Sequence, residues 1–146
     1  MAKNDKLFFV GVKGLIVRNG KILLLQANTT KHTVPTPPYW DLPGGKIQQG
    51  STEIDTLQRE VREETGLSIE ANPEYIDTIV SRHDARLESG EFVGLMLRIY
   101  HVQPGEGDVV ISNEHLAFGW FTPQEASELL ANKYPKEFCE RIELLV

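Results

Sequence analysis

Residues 51–66, STEIDTLQREVREETG, contain the start, the buried face and the end of one helix. Ser51 and Thr52 are both good N-cap residues, and the acids just after them favour the positive end of a helix dipole. Three apolar residues recur at i, i+3 and i+7 and predict a face that packs on a core: Ile54, Leu57 and Val61. Gly66 tolerates a positive φ and is typical of a helix C-terminus. The stretch therefore predicts a helix over residues 52–65.

The same helix carries three glutamates, Glu60, Glu63 and Glu64, on one side. Because successive helical residues rotate by roughly 100°, the three carboxylates point within an arc of about 100° next to the apolar face. Like charges at this spacing cost about 0.2–0.5 kcal/mol per pair even in water. Glutamate-rich surface helices are common, so the spacing alone leaves two interpretations open. Either solvent disperses the charge, or a cation is bound there.

The composition indicates a single domain with its own core, since the chain has 146 residues and 40% of them are apolar. The net charge of −6 argues against a nucleic-acid polymer as the main partner, because such proteins usually carry a basic face. The single cysteine, Cys139, excludes an internal disulfide and favours a reducing compartment. No stretch is long and apolar enough to span a bilayer. We therefore expect a cytoplasmic, soluble protein with no membrane partner.

Apolar and β-branched runs on either side of an Asn-Gly turn predict a hairpin of two strands, over residues 7–17 and 21–26. Lys13 interrupts the first run, so the N-terminal segment is interpreted as a strand and not as a secretion signal. Strands are then predicted over residues 75–83, 91–102 and 115–121. Two more helices are predicted, over residues 122–131 and from about residue 135 onward. Together they predict an α+β or α/β fold, in which helices cover a mixed sheet.

The segment between residues 27 and 40 is polar and then proline-rich, which disfavours a central strand. We expect an ordered surface loop near a pocket, with a peptide-like ligand for a proline-binding module as the alternative. Gly44 and Gly45 follow this segment, and glycine lets the backbone come close to a bound ion or phosphate. Beside three carboxylates, such a glycine pair suits Mg²⁺, which prefers oxygen ligands and often shares its coordination shell with substrate phosphates.

Residues 45–67, GKIQQGSTEIDTLQREVREETGL, resemble the Nudix box, the signature of the Nudix hydrolase family. The family pattern is a glycine, five residues, a glutamate, seven residues and then Arg-Glu-aliphatic-any-Glu-Glu-any-Gly-aliphatic. Gly45 and all the later fixed positions fit, but Ser51 stands where the family has its first glutamate. The segments WDLPGG and EHLAFGWF also resemble other members. The resemblance implies an α/β/α sandwich with a mixed sheet, as one Nudix hydrolase domain over residues 1–146.

The resemblance also implies roles for individual residues. Five candidate metal ligands are implied: Gly44 through its carbonyl, Glu60, Glu63, Glu64 and Glu114. Arg59 resembles the arginine that orients the neighbouring glutamate through a charge-assisted hydrogen bond, and an ordinary surface ion pair is the alternative. Glu114 lies in a loop where several members supply a ligand or the general base, and a solvated loop acid is the alternative. The four glutamates and Arg59 are therefore the expected catalytic residues.

The resemblance implies a Mg²⁺-dependent enzyme, with Mn²⁺ as the alternative cation, in which water attacks a phosphorus atom of a diphosphate bridge. We expect a (deoxy)nucleoside triphosphate, including oxidised forms, to be hydrolysed to the monophosphate and pyrophosphate, as in MutT-like members. Nucleotide sugars and dinucleoside polyphosphates are the alternative substrates. Because Ser51 replaces a glutamate of the signature, a nucleotide-binding or regulatory module without turnover is an alternative of another class. The sequence does not determine the base, the sugar, the leaving group or whether the protein is a homodimer.

Overall fold

The structure is a computed structural model that describes residues 3–31 and 36–146. Residues 32–35 belong to the polar and proline-rich segment and lie outside the described residues, so the loop expected there is described only on either side of them. Within the two described ranges, no helix has both the length and the apolar character needed to cross a membrane.

The described residues contain eight strands that form one mixed sheet. The strands are β1 (Phe8–Arg18), β2 (Lys21–Ala27), β3 (Trp40–Asp41), β4 (Gly44–Lys46), β5 (Glu74–Val80), β6 (Ala85–Arg86), β7 (Phe92–Val102) and β8 (His115–Phe121). β1 lies at the centre and pairs in parallel with β7, whereas its pairings with β2 and β4 are antiparallel. β5 pairs with the outer side of β7, and β8 pairs with β2. The sheet is therefore mixed, as expected.

The hairpin between β1 and β2 is confirmed, and its turn determines how the site is built. Asn19 and Gly20 have φ angles of 53° and 75°, as a two-residue turn with positive φ at both positions requires. The strands pair only over the two residues on each side of the turn. Beyond that point, β3 pairs with β2 and β4 pairs with β1. Residues 40–46 are thus held between two central strands.

In the part of the chain that the structure describes, three α-helices cover the sheet: α1 (Glu53–Thr65), α2 (Pro123–Leu130) and α3 (Lys136–Leu145). Of the two cap candidates for α1, Thr52 is the cap, because its hydroxyl accepts a hydrogen bond from the backbone N–H of Asp55 at 3.1 Å. Gly66 ends α1 with a φ of 75°. The start signal of α2 forms a capping box between Thr122 and Glu125. The helices predicted from local signals are therefore all present.

Alternate side chains of β1 and β2 point to opposite faces of the sheet and divide the core into two layers. The layer beneath α1 includes Val12, Ile16, Leu23, Leu25, Leu57 and Val61. The layer beneath α2 and α3 includes Leu15, Ile22, Leu24, Leu130, Phe138 and Ile142. Helices thus pack on both faces of a mixed sheet, which confirms the expected α/β/α sandwich.

One predicted strand boundary is wrong, and the difference affects the site. The strand expected over residues 75–83 ends at Val80. The backbone N–H of Arg82 donates to the carbonyl of Lys133 at 2.7 Å, and Arg82 Nη1 donates to the carbonyl of Ala131 at 3.1 Å. These bonds direct the chain toward the α2–α3 connection instead of along β7. The short strands β3, β4 and β6 were not predicted, because two or three residues show no periodicity.

Candidate functional site

A cleft of about 1080 Å³ lies beside residues 40–46, where they enter the sheet. Its walls come from the β3–β4 segment, α1, the residues that precede β3 and the α2–α3 connection. Several sequence-predicted site residues line it: Gly44, Gly45, Glu60, Glu64 and Glu114. Pro37, Pro38 and Tyr39 also line it, so the proline-rich segment does run beside a pocket.

Glu64 is the most buried of the three helix glutamates, with 5% of its surface exposed. It lies on the apolar side of α1, three residues after Val61, and its Oε1 accepts a hydrogen bond from the backbone N–H of Gly44 at 3.1 Å. Burial raises the pKa of Glu64 to about 7, although the nearby Lys13 ammonium and the Gly44 N–H both lower it. The carboxylate of Glu60 raises the pKa further. Removing this carboxylate from water is therefore costly unless a proton or a cation neutralises it.

The glycine pair leaves space that a side chain would fill. A Cβ atom on Gly44, which has a φ of +152°, would lie 2.0 Å from the carbonyl oxygen of Val12. A Cβ atom on Gly45 would lie 2.7 Å from the carboxyl carbon of Glu60. Gly44 thus allows the close antiparallel pairing of β4 with β1, and Gly45 makes room for the carboxylate of Glu60 beside the backbone.

Arg59 lies next to Glu60, as the resemblance implies. Arg59 Nη2 is 3.4 Å from Glu60 Oε1, and the two side chains are 42% and 21% exposed. An ion pair this exposed contributes at most about 1 kcal/mol. Ser51, which replaces the first glutamate of the signature, places its hydroxyl 3.1 Å from that of Thr56. The serine is therefore part of the local packing at the start of α1.

The two remaining candidate ligands, Glu63 and Glu114, are both exposed. Glu63 is exposed and is not among the residues that line the cleft. Glu114 is exposed on the loop before β8, where its carbonyl accepts a hydrogen bond from the backbone N–H of Asn28 at 3.1 Å. In residues 3–31 and 36–146, no group of three or more His, Cys, Asp or Glu side chains is arranged to hold a metal ion. The structure brings together Gly44, Glu60 and Glu64, with Glu114 on another wall of the cleft.

The atoms around the glycine pair fit a hard divalent cation. Glu60 and Glu64 offer carboxylate oxygens, and the backbone of Gly44 adds a carbonyl without a side chain that would block access. Mg²⁺ prefers such oxygen ligands and keeps several water molecules, so it does not need a complete protein shell. The residues present therefore suit the cation that the resemblance implies.

A buried ionic cluster next to this site was not predicted from the sequence. Asp41 Oδ2 lies 3.2 Å from Lys13 Nζ and 2.6 Å from Lys133 Nζ, and Tyr134 donates to Asp41 Oδ1 at 2.5 Å. Burial alone would raise the pKa of Asp41, but the two ammonium groups and these hydrogen bonds hold it well below its usual range. Burial lowers the pKa of Lys133. The lysine inside the apolar run of β1 was the one sequence signal that could have revealed the cluster.

Two large side chains near the site, Arg98 and Trp40, lie outside the cleft. Arg98 of β7 pairs with Glu53 of α1 and lies 4.7 Å from the centre of the Tyr75 ring. Trp40 packs edge-on against Phe121 at 5.1 Å in one core layer. None of these side chains lines the cleft. They stabilise the sheet and its contact with α1.

Comparison with known proteins agrees with the fold. The NUDIX domain model matches residues 8–142. A MutT-like protein from Streptomyces ambofaciens is 31% identical over 133 residues, which cover 91% of this chain and 76% of that protein. The CTP pyrophosphohydrolase of Escherichia coli K12 is 33% identical over 115 residues, covering 79% of this chain and 76% of that enzyme.

The crystal structure of the MutT protein from Methanosarcina mazei Go1 superposes on this fold with a TM-score of 0.74. The two chains are 26% identical, and the match covers 95% of each. The sandwich fold of this chain is thus shared with a solved MutT protein. The chain belongs to the Nudix hydrolase family.

Proposed function

We propose that this Nudix hydrolase uses Mg²⁺ to hydrolyse a nucleoside triphosphate to the nucleoside monophosphate and pyrophosphate. One observation carries the proposal: the carboxylate of Glu64 is buried against the Gly44 N–H, beside Glu60 and next to a cleft large enough for a nucleotide. Nudix hydrolases generally use divalent metal cations. The relative from Escherichia coli, named a CTP pyrophosphohydrolase, supports a nucleoside triphosphate as the substrate.

The residues that would hold the cation are Glu60, Glu64 and the carbonyl of Gly44, with Glu63 as a further ligand. When bound, a divalent cation neutralises charge on the phosphate oxygens and makes water more acidic. Glu60 is kept beside the glycine pair by the absence of a side chain on Gly45. Arg59 restrains its carboxylate from the exposed side. The protein thus supplies a fixed arrangement of oxygen atoms and excludes water from around Glu64.

Glu114 is the proposed acceptor of the proton that the attacking water loses. It is exposed on a different wall of the cleft from Glu60 and Glu64, so a substrate phosphate would lie between them. Its backbone is held by Asn28, and its side chain is exposed to solvent. General-base catalysis of this kind contributes about 10²–10⁴-fold to the rate. Loss of Glu114 is therefore expected to be less severe than loss of Glu64.

The proposal is tested by the identity of the products. The purified protein is incubated with Mg²⁺ and, separately, with nucleoside triphosphates, oxidised nucleotides, nucleotide sugars and dinucleoside polyphosphates. Monophosphate and pyrophosphate from a triphosphate are the expected products, and a sample with excess EDTA is the matched control. Release of inorganic phosphate from a triphosphate would contradict the proposed products. Preferential cleavage of a nucleotide sugar or dinucleoside polyphosphate would contradict the proposed substrate. Nucleotide binding without any hydrolysis in Mg²⁺ or Mn²⁺ would favour a module without turnover.

A further inference from the structure

The floor of the cleft contains a carboxylate whose hydrogen-bonding capacity is fully used. Asp41 Oδ1 accepts hydrogen bonds from the backbone N–H of Leu42 at 2.8 Å and from the hydroxyl of Tyr134 at 2.5 Å. Asp41 Oδ2 accepts from Lys13 at 3.2 Å and from Lys133 at 2.6 Å. A carboxylate offers about four acceptor positions, so none is left for a ligand. The groups that this cluster can still offer to the cleft are donors.

Lys133 holds most of the unused donor capacity. An ammonium group has three N–H donors, and within the described residues the only hydrogen bond of Lys133 Nζ is the one to Asp41. Lys13 donates both to Asp41 and to the carbonyl of Leu42 at 3.1 Å. The Lys133 side chain is 7% exposed, yet the residue lines the cleft. The N–H groups of Lys133 that do not bind Asp41 are therefore held in place at the cleft by the surrounding fold.

The two lysines of the cluster share one directly hydrogen-bonded carboxylate. The other nearby acid, Glu64, lies at the glycine pair. Lys133 is paired with Asp41, but a buried ammonium that uses one of its three N–H donors is incompletely hydrogen-bonded, so an acceptor group bound over Lys133 would supply a further hydrogen bond. Beside Lys133, the rings of Tyr39 and His83 pack edge to face at 5.2 Å and form an adjacent wall.

We propose that Lys133 is a substrate-binding residue, which donates hydrogen bonds to an acceptor oxygen of the bound nucleotide. This inference rests on the proposed function, because it assumes that the same cleft binds a nucleotide. The acceptor belongs either to a phosphate group or to a carbonyl of the base. Guanine presents O6 and N7 acceptors to such a donor, whereas adenine presents an amino group beside N7.

The test measures binding without metal, so that it does not depend on turnover. Inorganic pyrophosphate, GMP and AMP are titrated by calorimetry in EDTA into the wild type, Lys133→Met, Lys133→Arg and Lys136→Met. Lys133→Met leaves Lys13 and Asp41 as a balanced pair, so the fold is expected to persist. Lys133→Arg keeps the charge and the donors. Lys136→Met removes an 82% exposed lysine outside the cleft and controls for net charge.

A phosphate acceptor predicts that Lys133→Met weakens the binding of all three probes at least tenfold. A base acceptor predicts that it weakens GMP alone. In either case Lys133→Arg restores part of the affinity, and Lys136→Met changes little. Wild-type affinity for every probe in a folded Lys133→Met variant would overturn the proposal and leave Lys133 a structural ion-pair residue.

A second measurement does not depend on the stability of any variant. In the wild type, the backbone amide signal of Lys133 is followed by NMR during the same titrations in EDTA. A shift that saturates with at least one probe is expected, and its absence with all three would overturn the proposal. Binding without hydrolysis in Mg²⁺ would contradict the proposed function and not this inference.

Discussion

The adjacent glycines at the cleft offer a direct test of the site geometry, because replacement by alanine is expected to have a different effect at each of the two positions. At Gly44 the new Cβ would lie 2.0 Å from the backbone carbonyl of Val12, and the φ of +152° is one that side chains rarely adopt. At Gly45 it would lie 2.7 Å from the carboxyl carbon of Glu60, which is the end of a flexible side chain. Gly44→Ala should therefore affect folding, and Gly45→Ala should affect the site.

The structure gives the expected sizes of the two effects. For Gly44→Ala, backbone strain of about 1–3 kcal/mol and overpacking of about 1–3 kcal/mol together lower the free energy of unfolding by about 2–6 kcal/mol. That loss corresponds to a fall in Tm of roughly 5–20 °C for a domain of this size. For Gly45→Ala, Glu60 rotates away at a cost of about 1 kcal/mol or less, since its pair with Arg59 is exposed. A displacement of about 1 Å in the site can nevertheless lower kcat about 10²-fold.

The assay compares the two variants with the wild type in thermal unfolding and in Mg²⁺-dependent turnover. We expect a large loss of Tm for Gly44→Ala and a nearly normal Tm with a low kcat for Gly45→Ala. Wild-type turnover and Mg²⁺ dependence in Gly45→Ala would refute the position assigned to the Glu60 carboxylate. An unchanged Tm in Gly44→Ala would refute the close approach of β4 to β1.

Three further predictions concern the ionic cluster and the start of α1. Asp41→Asn is expected to lower the free energy of unfolding by about 3–5 kcal/mol, because it leaves buried lysines without a counter-charge. The folded-state pKa of Asp41 lies below its unfolded value of about 3.9. Denaturant titrations should therefore show the full difference in unfolding free energy between wild type and Asp41→Asn above about pH 4, and a smaller difference below it. A difference that does not change with pH would contradict the ionic pairing of Asp41. Thr52→Ala is expected to cost about 1 kcal/mol and Ser51→Ala less than about 0.5 kcal/mol, and equal losses in chemical unfolding would show that the cap is misassigned. Ser51→Glu is expected to raise Mg²⁺ affinity and kcat by giving Arg59 a second acidic partner, and if calorimetry and turnover show neither change, the serine is incidental.

The elements that sequence patterns predicted well are those built from local interactions. Helix α1 needs only its cap, its apolar face and Gly66, and all of these lie within one stretch. The first hairpin follows from Asn19 and Gly20, whose backbone adopts the positive φ angles that the turn requires. In both cases neighbouring residues determine the conformation. A prediction from one sequence can therefore succeed.

The parts that could not be predicted depend on residues far apart in the chain. The insertion of residues 40–46 between β1 and β2 comes from strand pairing that no local pattern encodes. Likewise Lys133 donates a hydrogen bond to Asp41, which lies 92 positions earlier in the sequence. A lysine in a loop gives no sign of its burial, whereas Lys13 within an apolar strand does. The glutamates of α1 were placed on one side of the helix, but only the tertiary structure separates buried Glu64 from exposed Glu63.

We propose that the carboxylates beside the glycine pair bind the cation on which hydrolysis depends. The most direct measurement is kcat for nucleoside triphosphate hydrolysis as a function of Mg²⁺ concentration, in the wild type and in Glu64→Gln, with the exposed Glu143→Gln as the matched control. Glutamine keeps an acceptor for the Gly44 N–H, so the fold is expected to persist. We expect no turnover in EDTA, recovery with Mg²⁺ in the wild type and the control, and a kcat lower by orders of magnitude in Glu64→Gln. Undiminished turnover in EDTA, or in folded Glu64→Gln, would contradict the proposal.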